Sequence, residues 1–366
     1  MERTQVLIVG AGAAGIGVAL ALQRLGLDLR VLERNVIGSS FRRWPAETRF
    51  ITPSFTANAF GLTDLNALTP ETSPAYSLGQ EHPGGAAYAR YLRALARHYE
   101  LSVEERTAVE HVRTFSEGFR VETTRGSFEA RFLIWATGEF QFPRQDLQGA
   151  RLALPYARVK SWAALEGETY TVIGGYESGL DAAYHLVRLG KRVQLLDPSA
   201  PWKRSTGEPS QDVSPYTLER LREALETGRL ELRQERATRI TRANGQFQVY
   251  HSNGVLQSPT PPILATGFEG GFEPVRRLFE WKGPAPLLHE ASDESTRTPG
   301  LFLVGPKVQH RDTAFCFIYK FRARFPVVAE AIGRRLGVDT APLEVYRKRG
   351  MWADDLADCC TSRCTC

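Results

Sequence analysis

Two stretches of this chain have residue types and spacing suited to holding a nucleotide pyrophosphate. A third is suited to thiol chemistry. The first stretch places Gly10, Gly12 and Gly15 in the pattern G-x-G-x-x-G. Gly10 permits a tight turn, Gly12 lets backbone approach a pyrophosphate, and Gly15 lets a helix pack close to a strand. Ala13 and Ala14 complete the turn, at a helix start whose free N–H groups and positive dipole end suit phosphate. Glu33 follows Gly10 by twenty-three residues, at the end of an apolar run, where a carboxylate can accept hydrogen bonds from a ribose diol. The second stretch is Gly174, Gly175, Tyr176, Glu177, Ser178 and Gly179, with Asp197 again twenty-three residues after the first glycine. Tyr176 stands where the middle glycine would be. This turn therefore holds its pyrophosphate less closely, or Tyr176 swings as a gate. Asp197 favours a free 2′-hydroxyl and so NADH, whereas Lys203 and Arg204 suit a 2′-phosphate; the balance leans slightly to a site that tolerates NADPH.

The third stretch is the C-terminus. Of five cysteines, Cys359, Cys360, Cys364 and Cys366 crowd the last eight residues, and Cys316 stands alone. A secreted disulfide scaffold would spread its cysteines through the chain, so this pattern points to redox or metal chemistry in a reducing compartment. Arg363 would lower a neighbouring thiol's pKa, and thiolate is the form that attacks disulfides and binds soft metals. The C-C-x3-C-x-C spacing is tighter than usual zinc spacing, and no second ligand knuckle accompanies it. Cys316 is expected near the start of a helix, where the dipole favours thiolate, yet between Phe315 and Phe317 it reads equally as a buried hydrophobe. His82 and His310 are candidate proton carriers.

The elements that position these residues are legible. Gln5 to Val9 reads as a buried parallel strand, Ile16 to Leu25 as a helix, and Leu29 to Leu32 as a second strand. The same strand, turn, helix, strand order recurs at Tyr170 to Asp197. Ala136-Thr137-Gly138 and Ala265-Thr266-Gly267 each end an apolar strand, where open α/β sheets bind ligands. That internal repeat marks two dinucleotide-binding units. Gly38 to Arg43, with Ser40 and Phe41, offers small residues and two arginines to lie along phosphates. Thr48 to Leu78 reads as one long irregular excursion, its Phe50, Phe55 and Phe60 arguing against disorder. Tyr88 to Tyr99 reads as an amphipathic helix. Antiparallel strands are expected at 109–115, 119–124 and 127–130, and a small β layer at 231–233, 237–241, 246–250 and 254–257. Ser214 to Glu226 reads as a helix with Ser214 at N-cap and Pro215 at the first position. Asp312 or Thr313 is expected to cap a helix running to Ile332.

A length of 366 residues favours two domains, and 42% hydrophobic content is ample for their cores. The net charge of +5 is scattered and accompanies no nucleic-acid motif, so it reads as a solvated surface with mild affinity for anionic cofactors. No apolar run reaches membrane-spanning length, and the N-terminus enters a strand almost at once, leaving no room for a signal peptide. Cytoplasmic residence is the expectation, with no nucleic-acid or membrane partner.

The order of first fingerprint, Ala-Thr-Gly, second fingerprint, Ala-Thr-Gly, Gly300-Leu301-Phe302 and terminal helix resembles the two-dinucleotide-binding flavoproteins of the pyridine nucleotide-disulfide oxidoreductase superfamily. The resemblance spans residues 5 to 335. It is most like the branch with bacillithiol-disulfide reductases and thioredoxin-reductase-like flavoproteins, with flavin monooxygenases as neighbours. It implies an α/β fold of two Rossmann-like, three-layer domains, with an NAD(P)H domain (167–267) inserted in a discontinuous FAD domain (1–166 and 268–345) and a cysteine-rich tail (346–366). It places FAD on Gly10, Gly12, Ala13, Ala14, Gly15, Glu33, Arg34, Ser40, Phe41, Ala136, Thr137, Gly138, Gly305 and Pro306. It places NADPH or NADH on Gly174 to Gly179, Asp197, Lys203, Arg204 and Ala265 to Gly267. Gly305 matches a glycine usually followed by an acid that contacts the flavin ribityl chain; Pro306 stands there instead. The central C-x-x-C of thioredoxin reductases is absent, as are the monooxygenase signature F-x-G-x-x-x-H and a cysteine within the first fingerprint. Three functions stay open: a reductase of a disulfide, thiol or soft-metal acceptor that relays electrons through the C-terminal cysteines and Cys316; a monooxygenase- or oxidase-like enzyme using oxygen; and a non-catalytic flavin- and metal-binding redox sensor. A homodimer is expected from the resemblance.

Overall fold

A computed structural model describes residues 2–55, 63–354 and 356. The chain divides into two compact units, one formed by residues up to 42, 53–139 and 270 onward, the other by 43–52 and 140–269.

The first unit opens with β1 (Glu2–Val9), α1 (Ala13–Gln23) and β2 (Leu29–Leu32). Only the second half of β1 is buried, and there its register pairs Val6 to Val9 with Leu29 to Leu32 on one side and with 132–135 on the other, all parallel. α1 begins three residues earlier than its apolar run suggested, because the helix starts inside the glycine turn itself. Short helices α2 (Ser39–Arg42) and α3 (Pro74–Leu78) follow, then α4 (Gly85–His98) and β3 (Val103–Glu104). The stretch read as one irregular excursion contains α3, capped by Ser73, whose hydroxyl accepts from the Tyr76 N–H. Phe50 is buried but Phe55 is 48% exposed, and Phe60 lies outside the described residues.

β4 (Val109–Phe115), β5 (Gly118–Thr123) and β6 (Gly126–Trp135) form an antiparallel meander. The expected break between 130 and 132 does not occur. β6 is one strand that leaves the meander and enters the parallel sheet, so its Phe132 to Trp135 stretch is buried throughout.

The second unit is built on β7 (Leu154–Pro155), β8 (Thr169–Ile173), α5 (Glu177–Arg188), β9 (Arg192–Leu196), α6 (Pro215–Glu226), β10 (Leu230–Arg233) and β14 (Ile263–Leu264). Their parallel sheet has the order β10-β9-β8-β14-β7. Residues 140–166 therefore pack with this unit, because β7 pairs with β14 and Tyr156, Val159 and Trp162 enter its core. β11 (Ala237–Ala243), β12 (Gln246–His251) and β13 (Gly254–Ser258) form a separate three-stranded antiparallel sheet. Residues 231–233 do not join that layer; they extend the parallel sheet through β9. Ser214 caps α6, accepting from the Thr217 N–H, with Pro215 at the first turn as the sequence predicts.

The chain returns to the first unit through hairpin β15 (Trp281–Lys282) and β16 (Ala285–Pro286), strands β17 (Leu288–His289), β18 (Glu294–Ser295) and β19 (Leu301–Leu303), and hairpin β20 (Gln309–His310) with β21 (Thr313–Ala314). β19 completes the sheet order β17-β18-β19-β6-β1-β2-β3. Neither Asp312 nor Thr313 caps a helix, because both lie in the β20–β21 hairpin. The helical stretch is instead α7 (Ile318–Phe321), a 3-10 turn and α8 (Phe325–Leu336), followed by α9 (Glu344–Lys348). α8 lies on α1 so closely that a Cβ on Gly17 would meet the Phe325 ring at 2.0 Å. No helix among the described residues is long and apolar enough to cross a membrane.

Candidate functional site: two matching glycine turns

Each unit carries one glycine turn, and the two share the same backbone hydrogen bonds. In the first, the Gly10 N–H donates to Leu32 O (2.7 Å) and the Ala136 N–H to Val9 O (2.9 Å). In the second, the Gly174 N–H donates to Leu196 O (2.9 Å) and the Ala265 N–H to Ile173 O (2.8 Å). Gly10 has φ +108 and Gly174 φ +103. A Cβ on either would strike the backbone oxygen of Ala136 or Ala265, at 2.4 and 2.3 Å. Both positions therefore demand glycine sterically. Gly15 and Gly179 are equally constrained, since a Cβ on each would lie 1.8 and 1.9 Å from the oxygen of Gly10 and Gly174.

The terminal acids hold the turns. Glu33 accepts from the Ala11 N–H (2.9 Å) and the Asn35 N–H (2.8 Å). Burial pushes its carboxyl up, against the pull of those N–H donors. Asp197 makes the same bond to the Gly175 N–H (2.8 Å) and also accepts from the Ser199 N–H (2.8 Å) and hydroxyl (2.6 Å). Ser199 carries no spacing signal, and sequence reading missed it. Also missed was Trp202, whose ring would lie 2.4 Å from a Cβ on Gly175 and so covers that glycine.

The turns differ at the third position. A Cβ on Gly12 would meet nothing within 4 Å, no side chain caps α1, and its first turn holds no acid. The helix start is thus open backbone, with no side chain of its own first turn capping or neutralising it, a cradle that fits a pyrophosphate. In the second turn, the Tyr176 hydroxyl donates to Asp212 O (2.7 Å), and the ring packs on the unit's core. Glu177 turns away from the helix axis to accept from the Ser214 N–H (2.5 Å) and the Thr217 hydroxyl (2.5 Å), at the start of α6. Burial pushes its carboxyl up, and those bonds oppose the shift. Tyr176 and Glu177 together tie the second glycine turn to the segment before α6.

Other expected residues gather at these turns. The Gly38 N–H donates to Ala11 O (3.0 Å), so α2 with Ser40 and Phe41 starts beside the first turn; Arg34 is exposed. Gly138 and Gly267, at φ +66 and +87, each face open space at a strand's carboxyl end. Thr137 and Thr266 donate to Gly271 O (3.3 Å) and Arg144 O (3.0 Å), fixing those ends. A Cβ on Gly305 would lie 3.0 Å from that of Ala14, which puts Gly305 and Pro306 against the start of α1. Lys203 and Arg204 are exposed after Asp197, and Lys203 Nζ donates to the Gln234 side chain (3.2 Å).

Cys316 is exposed, two residues before α7, rather than buried between its aromatic neighbours. Cys359, Cys360, Cys364 and Cys366 lie outside the described residues. His310 is buried, its Nε2 2.5 Å from Asp293 Oδ1, and Asp293 also accepts from Arg324 Nη2 (2.7 Å). That ionic cluster is structural in form, closed by the Arg324 bond to Ala353 O.

Comparison with known proteins agrees with this geometry. The bacilliredoxin reductase of Bacillus subtilis (strain 168) is 24% identical over 197 residues, 54% of this chain and 57% of the relative, so that match spans just over half its length. The ferredoxin–NADP reductase of Bradyrhizobium sp. (strain ORS 278) is 25% identical over 325 residues, 83% of each chain. Among solved structures, the bacillithiol disulfide reductase of Staphylococcus aureus has TM-score 0.76 at 20% identity, covering 92% of this chain and 99% of that one. A flavin-containing monooxygenase from Stenotrophomonas maltophilia has TM-score 0.71 at 17% identity, covering 92% and 100%. These structural likenesses establish the two-domain Rossmann-like fold. The pyridine nucleotide-disulphide oxidoreductase profile matches residues 7–305. With most of its length inside that match, the chain belongs to the pyridine nucleotide-disulphide oxidoreductase family, flavin-dependent enzymes that use FAD and NAD(P)H.

Proposed function

We propose that this chain is a cytosolic FAD-dependent NAD(P)H oxidoreductase that passes electrons on to a disulfide or soft-metal acceptor through its C-terminal cysteines. The observation that carries the reading is the duplicated turn, open at Gly12 in one unit and tied back by Tyr176 in the other. The unit with Gly10, Gly12, Gly15 and Glu33 is the FAD domain, and the unit with Gly174, Gly179 and Asp197 is the nicotinamide-nucleotide domain. When bound, the two cofactors supply a hydride donor and a two-electron carrier.

The chain's own residues bind and orient. The start of α1 takes the FAD pyrophosphate on backbone N–H groups, with no acid in the helix's own first turn. Glu33 receives the ribose hydroxyls while already anchored by the Ala11 N–H. Asp197 does the same in the second unit, with Ser199 sharing its carboxylate. Lys203 and Arg204, exposed beyond it, would meet a 2′-phosphate. Cys316 and the four terminal thiols are the redox groups of the relay; a disulfide among them accepts two electrons and two protons to become two thiols.

Anaerobic titration with NADPH or NADH tests the reading. Four or more electrons per FAD are expected, and replacing Cys359 and Cys360 by serine returns the count to two. Two electrons in the parent protein with rapid reoxidation by air would defeat the thiol relay in favour of oxygen chemistry, which the missing central C-x-x-C also favours. Flavin that neither nucleotide reduces would leave the redox-sensor reading.

A further inference from the structure

We propose that the first unit carries a second ligand site, for a planar aromatic anion, in a cleft remote in sequence from its glycine turn. The cleft has a volume of about 700 Å³ and lies between the first half of β4, the 3-10 turn Glu273–Leu278 and Trp281 of β15. That is the size range of small-molecule sites, roughly 300–1,000 Å³. None of its lining residues belongs to the Gly10 turn, Glu33, the Ala136 to Gly138 strand end or Gly305.

Three guanidiniums line it: Arg276, Arg277 and Arg297. None of the three forms an ion pair, among the described residues, although Glu110 and Glu273 line the same cleft. Elsewhere the chain pairs its arginines readily; Arg3 and Arg120, for instance, share Glu129. Three guanidiniums against two carboxylates leave the cleft net positive, and a guanidinium's planar fork of donors matches a carboxylate or phosphate.

The wall is organised before any ligand arrives. The Arg276 guanidinium sits 4.5 Å over the Trp281 ring, and Trp281 Nε1 donates to Arg276 O (2.8 Å). Phe272 and Phe279, both buried, meet Trp281 edge-on at 5.1 and 6.4 Å and fix the indole. Arg277 Nη2 donates to Val112 O (3.1 Å), which ties the 3-10 turn to β4. A ligand therefore meets the Arg276–Trp281 stack, with two more guanidiniums beside it for its anionic group. The two carboxylates lower the net charge, which favours one anionic group on a flat ring over a polyanion.

The probe is 2-naphthoate, with 2-naphthamide as its neutral isostere. Calorimetry uses the FAD-loaded protein with saturating NADP+, so that both glycine turns are filled. One 2-naphthoate per chain is expected, at least ten-fold tighter than the amide and weakened by added salt. Arg276→Gln and Arg297→Gln, at exposed side chains, should each weaken binding ten-fold or more with FAD content unchanged; Arg188→Gln, in the other unit, should not. Absence of saturable binding, equal affinity for the amide, or undiminished binding in the Arg276→Gln/Arg297→Gln double variant overturns the proposal.

Discussion

Two substitutions in the first turn should separate cofactor contact from fold. Alanine at Gly12 adds a methyl that meets nothing within 4 Å, on a residue already at φ −86 and ψ −167, a conformation alanine adopts freely. Alanine is a poorer N-cap than glycine by about 0.5–1 kcal/mol. Loss of unfolded-state freedom offsets that by about 0.4–1 kcal/mol, so the apoprotein should melt within a degree or two of the parent. The methyl nevertheless occupies the space through which a pyrophosphate reaches the helix N–H groups. Losing one charge-assisted hydrogen bond costs about 1.5–3 kcal/mol, a loss of affinity on the order of ten- to a hundred-fold. Alanine at Gly15 behaves differently. Its Cβ would lie 1.8 Å from Gly10 O and 2.9 Å from Gly10 C, and backbone atoms cannot swing aside. Overpacking of this kind costs about 1–3 kcal/mol or more before any ligand is present. Urea denaturation of both apoproteins and FAD titration by quenching of flavin fluorescence read the two effects apart. The reasoning fails if Gly12→Ala binds FAD within three-fold of the parent, or if it destabilises the apoprotein as much as Gly15→Ala does.

What the sequence revealed and what it hid divide along a physical line. Gly10, Gly15, Gly174 and Gly179 are legible because backbone sterics leave no alternative residue, and that demand is local to a strand, turn and helix. Asp312 and Thr313 read as a helix cap for the same local reason, but hairpin pairing of Gln309 with Ala314 and of His310 with Thr313 took those residues instead. Residues 231–233 looked like the rest of a β layer, since their pattern says only that they form a strand; pairing with β9 decides which sheet they join. Likewise nothing near residue 140 announces that the next stretch enters the second unit, because Tyr156 and Trp162 find their core through contacts distant in sequence. Trp202 and Ser199 escaped for that reason too: each acts on the turn through space, without a motif of its own.

Asp181 is buried against α6 and Thr48, accepting from Arg220 Nη2 (2.5 Å), the Tyr156 hydroxyl (2.8 Å) and the Thr48 hydroxyl (2.7 Å). Burial pushes its carboxyl up, but His185, Arg220 and Thr48 outweigh that and bring it down to about 2 from an ordinary 3.8. A depressed carboxylate stabilises the fold above its unfolded pKa, so about 2 kcal/mol should be present above pH 4 and lost as pH falls towards 2. Asp181→Asn abolishes that acid dependence and leaves Arg220 buried without its counter-charge, a loss of about 3–5 kcal/mol at pH 7 by urea denaturation; a loss under about 1 kcal/mol would refute the account. Tyr176 decides how the second turn works. If the ring plugs the pyrophosphate approach, Tyr176→Gly lowers the KM for NADPH and Tyr176→Phe leaves it unchanged. If the side chain is a tether, as its bonds to Asp212 O (2.7 Å) and Pro209 O (3.4 Å) imply, both variants release the segment before α6 and raise the KM. Losing the hydroxyl's net contribution of about 1 kcal/mol corresponds to roughly a five-fold rise for Tyr176→Phe. A neutral phenylalanine beside an improved glycine would show that the ring blocks the turn, and the tether would have to be abandoned.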